Sequence, residues 1–235
     1  WLGPFFQMTS QVNIIKPGGQ AQLPHRDYHL GFQDDSLVAE FPISSQMLSQ
    51  FLTLQGAVAH TDMNTSAGPT LLLPFSQQYP LGYMAWRDSE FIEYFQHNAV
   101  QLPLEKGDAV FFSPALFHAG GNNTESSDRI ANLLQVSSAF GKPMESVDRT
   151  KMTKLIYPVL LAGKQAKLLS PEETKSVCAS VVDGYSFPTN LDFDSPLAGS
   201  TPETVQTLIE RGLNEEWSAG RFCECLDDAT KRRLA

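Results

Sequence analysis

The sequence predicts a mainly β fold of the sandwich or barrel kind, and three observations carry that expectation. Short apolar runs recur from residue 5 to residue 139, each closed by Gly, Pro, Asn or Asp turn signals. Only one segment in that stretch, Ser89 to Asn98, repeats its apolar residues at helical spacing. The composition, 42% hydrophobic with 15 Phe and only 18% charged, supplies a core and excludes a disordered chain.

Residues 5–16 form the first expected strand, and Pro17-Gly18-Gly19 turns the chain. Gln20 to Asp27 follows as a second extended piece. Gly31 to Ser45 is irregular and reads as a long loop beside it, of the kind that serves as a lid. Phe51 to Thr61 is the strongest central strand. Asp62 to Pro69 is a turn-rich connector, and Thr70 to Pro74 a short apolar strand. Ser89 to Asn98 is the helix, with Ser89 in position to cap it. Strands are then expected over Val100–Leu104, Ala109–Ser113 and Arg129–Ala139, separated by Glu105-Lys106-Gly107-Asp108 and by Gly120-Gly121-Asn122-Asn123.

Beyond Gly141 the character changes. Ser170-Pro171-Glu172-Glu173 combines an N-cap serine, a proline at the first helical position and a capping-box glutamate. Thr201-Pro202-Glu203-Thr204 opens a further helix in the same manner, with Gly212 as its expected stop, and Asp227 to Ala235 closes the chain as a charged helix. The expected organisation is a catalytic β core over 1–141 and a helical and irregular extension over 142–235, packed on the core within one domain.

The net charge of −9 argues against a nucleic-acid surface or an anionic-membrane patch. No apolar run reaches the roughly 20 residues that span a bilayer. Three cysteines, Cys178, Cys223 and Cys225, fit no zinc framework and read as reduced thiols, which suits an intracellular, cytoplasmic location. The chain opens on Trp1 without an initiator methionine, so a native N-terminal segment, and any targeting signal in it, is expected to be missing.

The chemistry concentrates around Gln22-Leu23-Pro24-His25-Arg26-Asp27-Tyr28-His29. In an extended strand residues i and i+2 share a face, so His25 and Asp27 present an imidazole and a carboxylate together. A distal histidine would complete a 2-His-1-carboxylate set, which suits non-heme iron(II) and leaves positions open. His118, delivered by Phe111-Phe112-Ser113-Pro114-Ala115-Leu116-Phe117 to a glycine turn, is placed for this. Arg129 follows eleven residues later at the start of the next apolar strand. A buried arginine needs an anionic partner, which a dicarboxylate co-substrate would supply. On spacing alone His60-Thr61-Asp62 competes as the His-x-Asp pair. His29 either lines the same pocket or is structural, and Arg26, between the ligands, is expected to face away into a structural ion pair.

In combined order and spacing, His25-Arg26-Asp27, Gly68-Pro69-Thr70-Leu71-Leu72-Leu73-Pro74, Lys106-Gly107-Asp108-Ala109-Val110-Phe111-Phe112, and His118 with Asn122 and Arg129 resemble the phytanoyl-CoA dioxygenase family of Fe(II)/2-oxoglutarate oxygenases, over roughly residues 5–140. The resemblance implies a double-stranded β-helix, or jelly roll, with flanking helices. It implies His25, Asp27 and His118 as iron ligands and Arg129 as anchor of the 2-oxoglutarate C5-carboxylate. Gln22 matches a family position that contacts the co-substrate, and Thr70 is expected to do the same. Pro74-Phe75-Ser76-Gln77 departs from the Gly-Ser-His that often follows the short strand in the family.

The implied activity is oxidation, foremost hydroxylation, of a small organic molecule using Fe(II), 2-oxoglutarate and O2, with release of succinate and CO2. No nucleic-acid or membrane partner is expected. Two other readings stand beside it: a β-sandwich binding protein with at most a structural metal, and a cupin-like metal enzyme that does not use 2-oxoglutarate.

Overall fold

A computed structural model describes residues 2–3, 6–194 and 201–234. Phe5 and Ala235, which begin and end two of the expected elements, lie outside the described residues. The chain divides into two compact units, one built on Thr9–Glu145 and the other on Ser146–Ala235 with Gly3–Met8.

The first unit holds two sheets. β1 (Phe6–Ile15, whose first three residues fall in the second unit), β2 (Thr53–Ala59), β5 (Ala109–Phe112) and β7 (Arg129–Ser138) form a four-stranded sheet in the order β1-β7-β2-β5. β3 (Leu71–Leu72), β4 (Val100–Gln101) and β6 (His118–Ala119) form a three-stranded sheet in the order β4-β3-β6. β2 runs antiparallel to both β7 and β5, with Gln55 opposite Gln135 on one side and Phe112 on the other. That register fixes which side chains share a face, because a slip of one residue would invert every one of them.

Residues 31–45 do not stay an irregular loop, and the helices found there run on to Ser49. These are α1 (Asp35–Glu40) and α2 (Ile43–Ser49), the first capped by the Asp34 carboxylate, which accepts from the Leu37 amide at 2.9 Å. Both helices are too short for apolar periodicity to show. α3 (Gly82–Ala85) is also a single short turn, while α4 (Ser89–Asn98) has the bounds read from the sequence, with Asp88 rather than Ser89 as its cap. The apolar residues gather in small clusters. One joins Leu30, Val38, Tyr83 and Ala115; another joins Leu73, Phe95, Phe117 and Ala119.

The second unit is helical. α5 (Arg149–Gln165), α6 (Pro171–Val181), α7 (Val205–Asn214) and α8 (Ala219–Arg232) enclose Tyr157, Leu160, Cys178, Ile209 and Phe222, with the Tyr157 and Phe222 rings stacked 3.9 Å apart. α6 begins with the expected capping box of Ser170 and Glu173. α7 starts later than expected, capped by Thr204, and does not stop at Gly212: a Cβ there would already lie 3.2 Å from both aromatic rings, so this glycine serves close packing inside the helix. α8 begins eight residues before the expected Asp227.

Among the described residues helix accounts for 38% and strand for 17%, so they form a mixed α/β fold and the expectation of a mainly β chain fails as a description of them. The helices that sequence patterning undercounts are the short ones of the first unit and the full length of those in the second.

Candidate functional site

His25 meets His118 through a backbone bridge. The His25 amide donates to the His118 carbonyl at 2.9 Å and the His118 amide donates back to the His25 carbonyl at 3.1 Å. Paired residues of an antiparallel bridge project to the same side, and the two imidazole centroids lie 4.5 Å apart. Asp27 is held by its own amide, which donates to the Pro114 carbonyl at 2.9 Å. Tyr28 and His29 then turn the chain away with φ of 64° and 43°, a conformation that costs energy in non-glycine residues and marks a constrained site.

The ring tautomers are set by the backbone. The Nδ1 atoms of His25 and His118 each lie 2.8 Å from the carbonyl oxygen two residues earlier, Leu23 and Leu116 respectively. With Nδ1–H donating there, each neutral ring turns an Nε2 lone pair toward Asp27. His118 Nε2 stands 3.2 Å from one Asp27 oxygen and His25 Nε2 3.5 Å from the other. Three acceptors therefore converge, and such a cluster is satisfied by a cation at its centre. The donor atoms of His25, Asp27 and His118 all lie within 4.8 Å of one another and could hold a metal ion.

The electrostatics prepare this state. Burial, and then the neighbouring His118, push the His25 imidazole below its ordinary range against the opposing pull of Leu23 and Asp27. Burial pushes the Asp27 carboxyl up, but the neighbouring His118 and His25 imidazoles and the Gln55 amide outweigh it and hold the carboxyl below its usual range. A neutral imidazole and an ionised carboxylate are the metal-binding forms. Gln55 Nε2 donates to Asp27 Oδ2 at 2.6 Å and so orients the carboxylate.

The triad opens into a cavity of about 340 Å³ that Arg129, Gln22 and Thr70 also line, so all six residues singled out in the sequence reach one space. Arg129 Nη1 donates to the Gly68 carbonyl, and no carboxylate pairs with Arg129 among the described residues. Gly68 takes a left-handed φ of 71°, and a Cβ there would lie 2.3 Å from the Asn122 carbonyl oxygen, so glycine is required where this loop passes the cavity wall. Gln22 binds the facing strand at both ends: its amide donates to the Gly120 carbonyl at 2.9 Å and its Oε1 accepts from the Gly120 amide at 2.8 Å.

His60 and Asp62 are exposed and outside the cavity; Asp62 accepts from the Lys106 amide at 2.8 Å as turn chemistry. His29 also stays out of the cavity, its Nδ1 lying 2.8 Å from Ser49 Oγ. Arg26 corrects the expected ion pair. Its guanidinium is 2% exposed and has no carboxylate partner among the described residues. It donates to the carbonyls of Ser76 at 2.5 Å and Tyr79 at 3.1 Å, and it lies 5.0 Å from the centres of both the Tyr83 and Phe117 rings. Burial lowers its pKa to about 10. Gln55 and Gln135 are site residues that sequence reasoning missed. The signal was there as a glutamine inside each of two apolar strands.

A family model for phytanoyl-CoA dioxygenase (PhyH) matches residues 1–131, and the chain belongs to that family. A curated relative, dioxygenase cdmD of Talaromyces verruculosus, is 27% identical over 61% of this chain and 43% of its own, so the chain spans less than half its length. Among solved structures, the non-heme monooxygenase ThoJ in its nickel complex is 19% identical, with 63% of this chain and 50% of that one covered at a TM-score of 0.42. The epimerase SnoN in complex with Fe3+, alpha-ketoglutarate and nogalamycin RO is 16% identical over 60% and 53%, at 0.43. EctD from S. alaskensis with bound Fe is 15% identical over 61% and 49%, at 0.45. Iron and 2-oxoglutarate are the cofactors that go with the family and with the His-Asp-His donor set.

Proposed function

We propose that this chain is an Fe(II)/2-oxoglutarate-dependent oxygenase that hydroxylates a small organic molecule. His25, Asp27 and His118 are its iron ligands, Arg129 its anchor for the far carboxylate of 2-oxoglutarate, and Gln22 and Thr70 further contacts to the co-substrate. The observation that carries this reading is the convergence of three acceptor atoms, in one cavity, beside an arginine without a carboxylate partner among the described residues. The four-stranded sheet and the smaller three-stranded sheet are read as the two sides of a jelly roll.

Iron held by His25, Asp27 and His118, with 2-oxoglutarate beside Arg129, would supply the oxidation, in which one atom of O2 would go to the substrate as a hydroxyl and the other to succinate as CO2 is released. The protein's own residues do the positioning. The Leu23 and Leu116 carbonyls keep both imidazoles turned inward. Gln55 donates to the Asp27 carboxylate and fixes its orientation. The half-buried guanidinium of Arg129 offers donors suited to a carboxylate, and its partial burial lowers its pKa. Asp27 as an ionised ligand favours hydroxylation over chemistry that needs its place vacant.

Succinate release tests the reading. Purified protein with Fe(II), 2-oxoglutarate and O2 is expected to form succinate slowly without substrate, and Asp27→Ala to abolish it. Equal succinate from the variant and the wild type would contradict the assignment.

A further inference from the structure

The part of the cavity wall left over once iron and 2-oxoglutarate are accounted for is electrically neutral and carries unused hydrogen-bonding capacity. Arg129 and Asp27 are the charged residues of the lining other than the two ligand histidines, and no lysine or glutamate joins them. Gln55 and Gln135 face each other across β2 and β7 in register, so their side chains emerge on the same face, above the apolar Ala57, Leu133 and Phe112. Among the described residues, Gln135, 9% exposed, has no hydrogen-bond partner for its Oε1, and Gln55 Oε1 is likewise buried and unpartnered. The Gln55 amide cannot reverse to change this, because its Nε2 serves a carboxylate that only accepts. Two buried carbonyl oxygens without donors are costly to leave so.

We propose that Gln135, beside Gln55, is a substrate-binding residue that accepts a hydrogen bond from a hydroxyl group, and that the substrate is an uncharged, hydroxylated molecule on an apolar frame. An anionic or cationic substrate would lose its hydration against Leu133, Phe112 and two amides without gaining a counter-charge. A hydroxyl costs far less to bury and meets the acceptors directly. The apolar frame lies against Phe112 and Leu133. The inference rests on the oxygenase reading for the claim that Asp27 and Arg129 are already occupied.

The test uses the whole chain carrying Zn(II), which is redox-inert. Calorimetric titration with 2-oxoglutarate comes first and reports on the oxygenase reading by itself. A fragment screen by calorimetry follows, over size-matched alcohols, hydrocarbons, carboxylates and ammonium compounds, with and without Zn(II) and 2-oxoglutarate. Alcohols are expected to bind best in the wild type, and Gln135→Leu to weaken them about tenfold while leaving the matched hydrocarbons unaffected. Gln135→Glu, which keeps the shape and supplies a second route if the leucine variant does not fold, is expected to turn the preference toward ammonium fragments. Leading hits that are charged, an absence of hits, or an alcohol preference that survives both substitutions would overturn the proposal. Failure of the 2-oxoglutarate titration alongside a Gln135-dependent alcohol preference would instead count against the oxygenase reading.

Discussion

Asp27 shows how much of the site depends on one carboxylate. It sits 5% exposed between two imidazoles, with Gln55 Nε2 at 2.6 Å, and each neighbour helps keep it ionised. Outer hydrogen bonds of this type orient a ligand, and losing one commonly weakens metal binding by about 10–100-fold. Gln55→Leu is therefore expected to lower iron(II) affinity within that range in a chelator-competition titration, while Gln55→Glu sets a second carboxylate against Asp27 and weakens it further. Arg26, the residue between the ligands, acts behind the site. Its cation is held by two carbonyls and two rings rather than by an acid. Arg26→Ala should cost roughly 2–4 kcal/mol in denaturant unfolding, because it opens a cavity and strands both carbonyls. Its environment was not legible in the sequence, since Tyr79, Tyr83 and Phe117 come from distant segments. That His25, Asp27, His118 and Arg129 reach one cavity was legible from the i, i+2 spacing of the first pair and from the apolar runs that lead to His118 and follow Arg129.

At the scale of elements, strands were read well where apolar runs met turn residues: β2, β5 and β7 fall inside their expected spans. The stretch 31–45 was misread, since α1 and α2 have six and seven residues and draw their definition from the Asp34 cap and tertiary burial of Val38. α5 was hidden as well, with Pro158 inside it. The cavity glutamines left a signal, each inside an apolar strand, but that Gln55 and Gln135 meet depends on strand register, which one sequence does not display. The capping box was legible in full. Ser170 Oγ accepts from the Glu173 amide at 3.1 Å and the Glu173 carboxylate accepts from the Ser170 amide at 2.8 Å. Ser170→Ala is expected to destabilise the helical unit by about 1 kcal/mol in thermal melts followed by circular dichroism.

Across the whole molecule, all three cysteines carry free thiols, and none of the described helices is long and apolar enough to cross a membrane. Cys178 is fully buried in the helical unit, and burial raises its thiol from the ordinary 9.0 to about 11. Below pH 9 both folded and unfolded chains keep this proton; between 9 and about 11 the unfolded chain loses it first, so stability falls as pH rises through that window. Urea unfolding at stepped alkaline pH should show this slope, and Cys178→Ala should flatten it. Native alkylation should modify Cys223 and Cys225 before Cys178. The molecule's −9 charge does not describe its cavity, where an arginine and a carboxylate sit among amides and apolar side chains. Substrate identity was not legible in the sequence, because that wall is assembled from residues scattered between Gln11 and Met144.

The central claim, that His25, Asp27, His118 and Arg129 make one iron and 2-oxoglutarate site, is tested most directly by anaerobic spectroscopy. Fe(II) and 2-oxoglutarate added together to the purified chain are expected to give a visible metal-to-ligand charge-transfer band. The band should vanish in His118→Ala and need far more 2-oxoglutarate in Arg129→Leu. Folded, iron-loaded wild-type protein that gives no band at saturating 2-oxoglutarate would contradict the account.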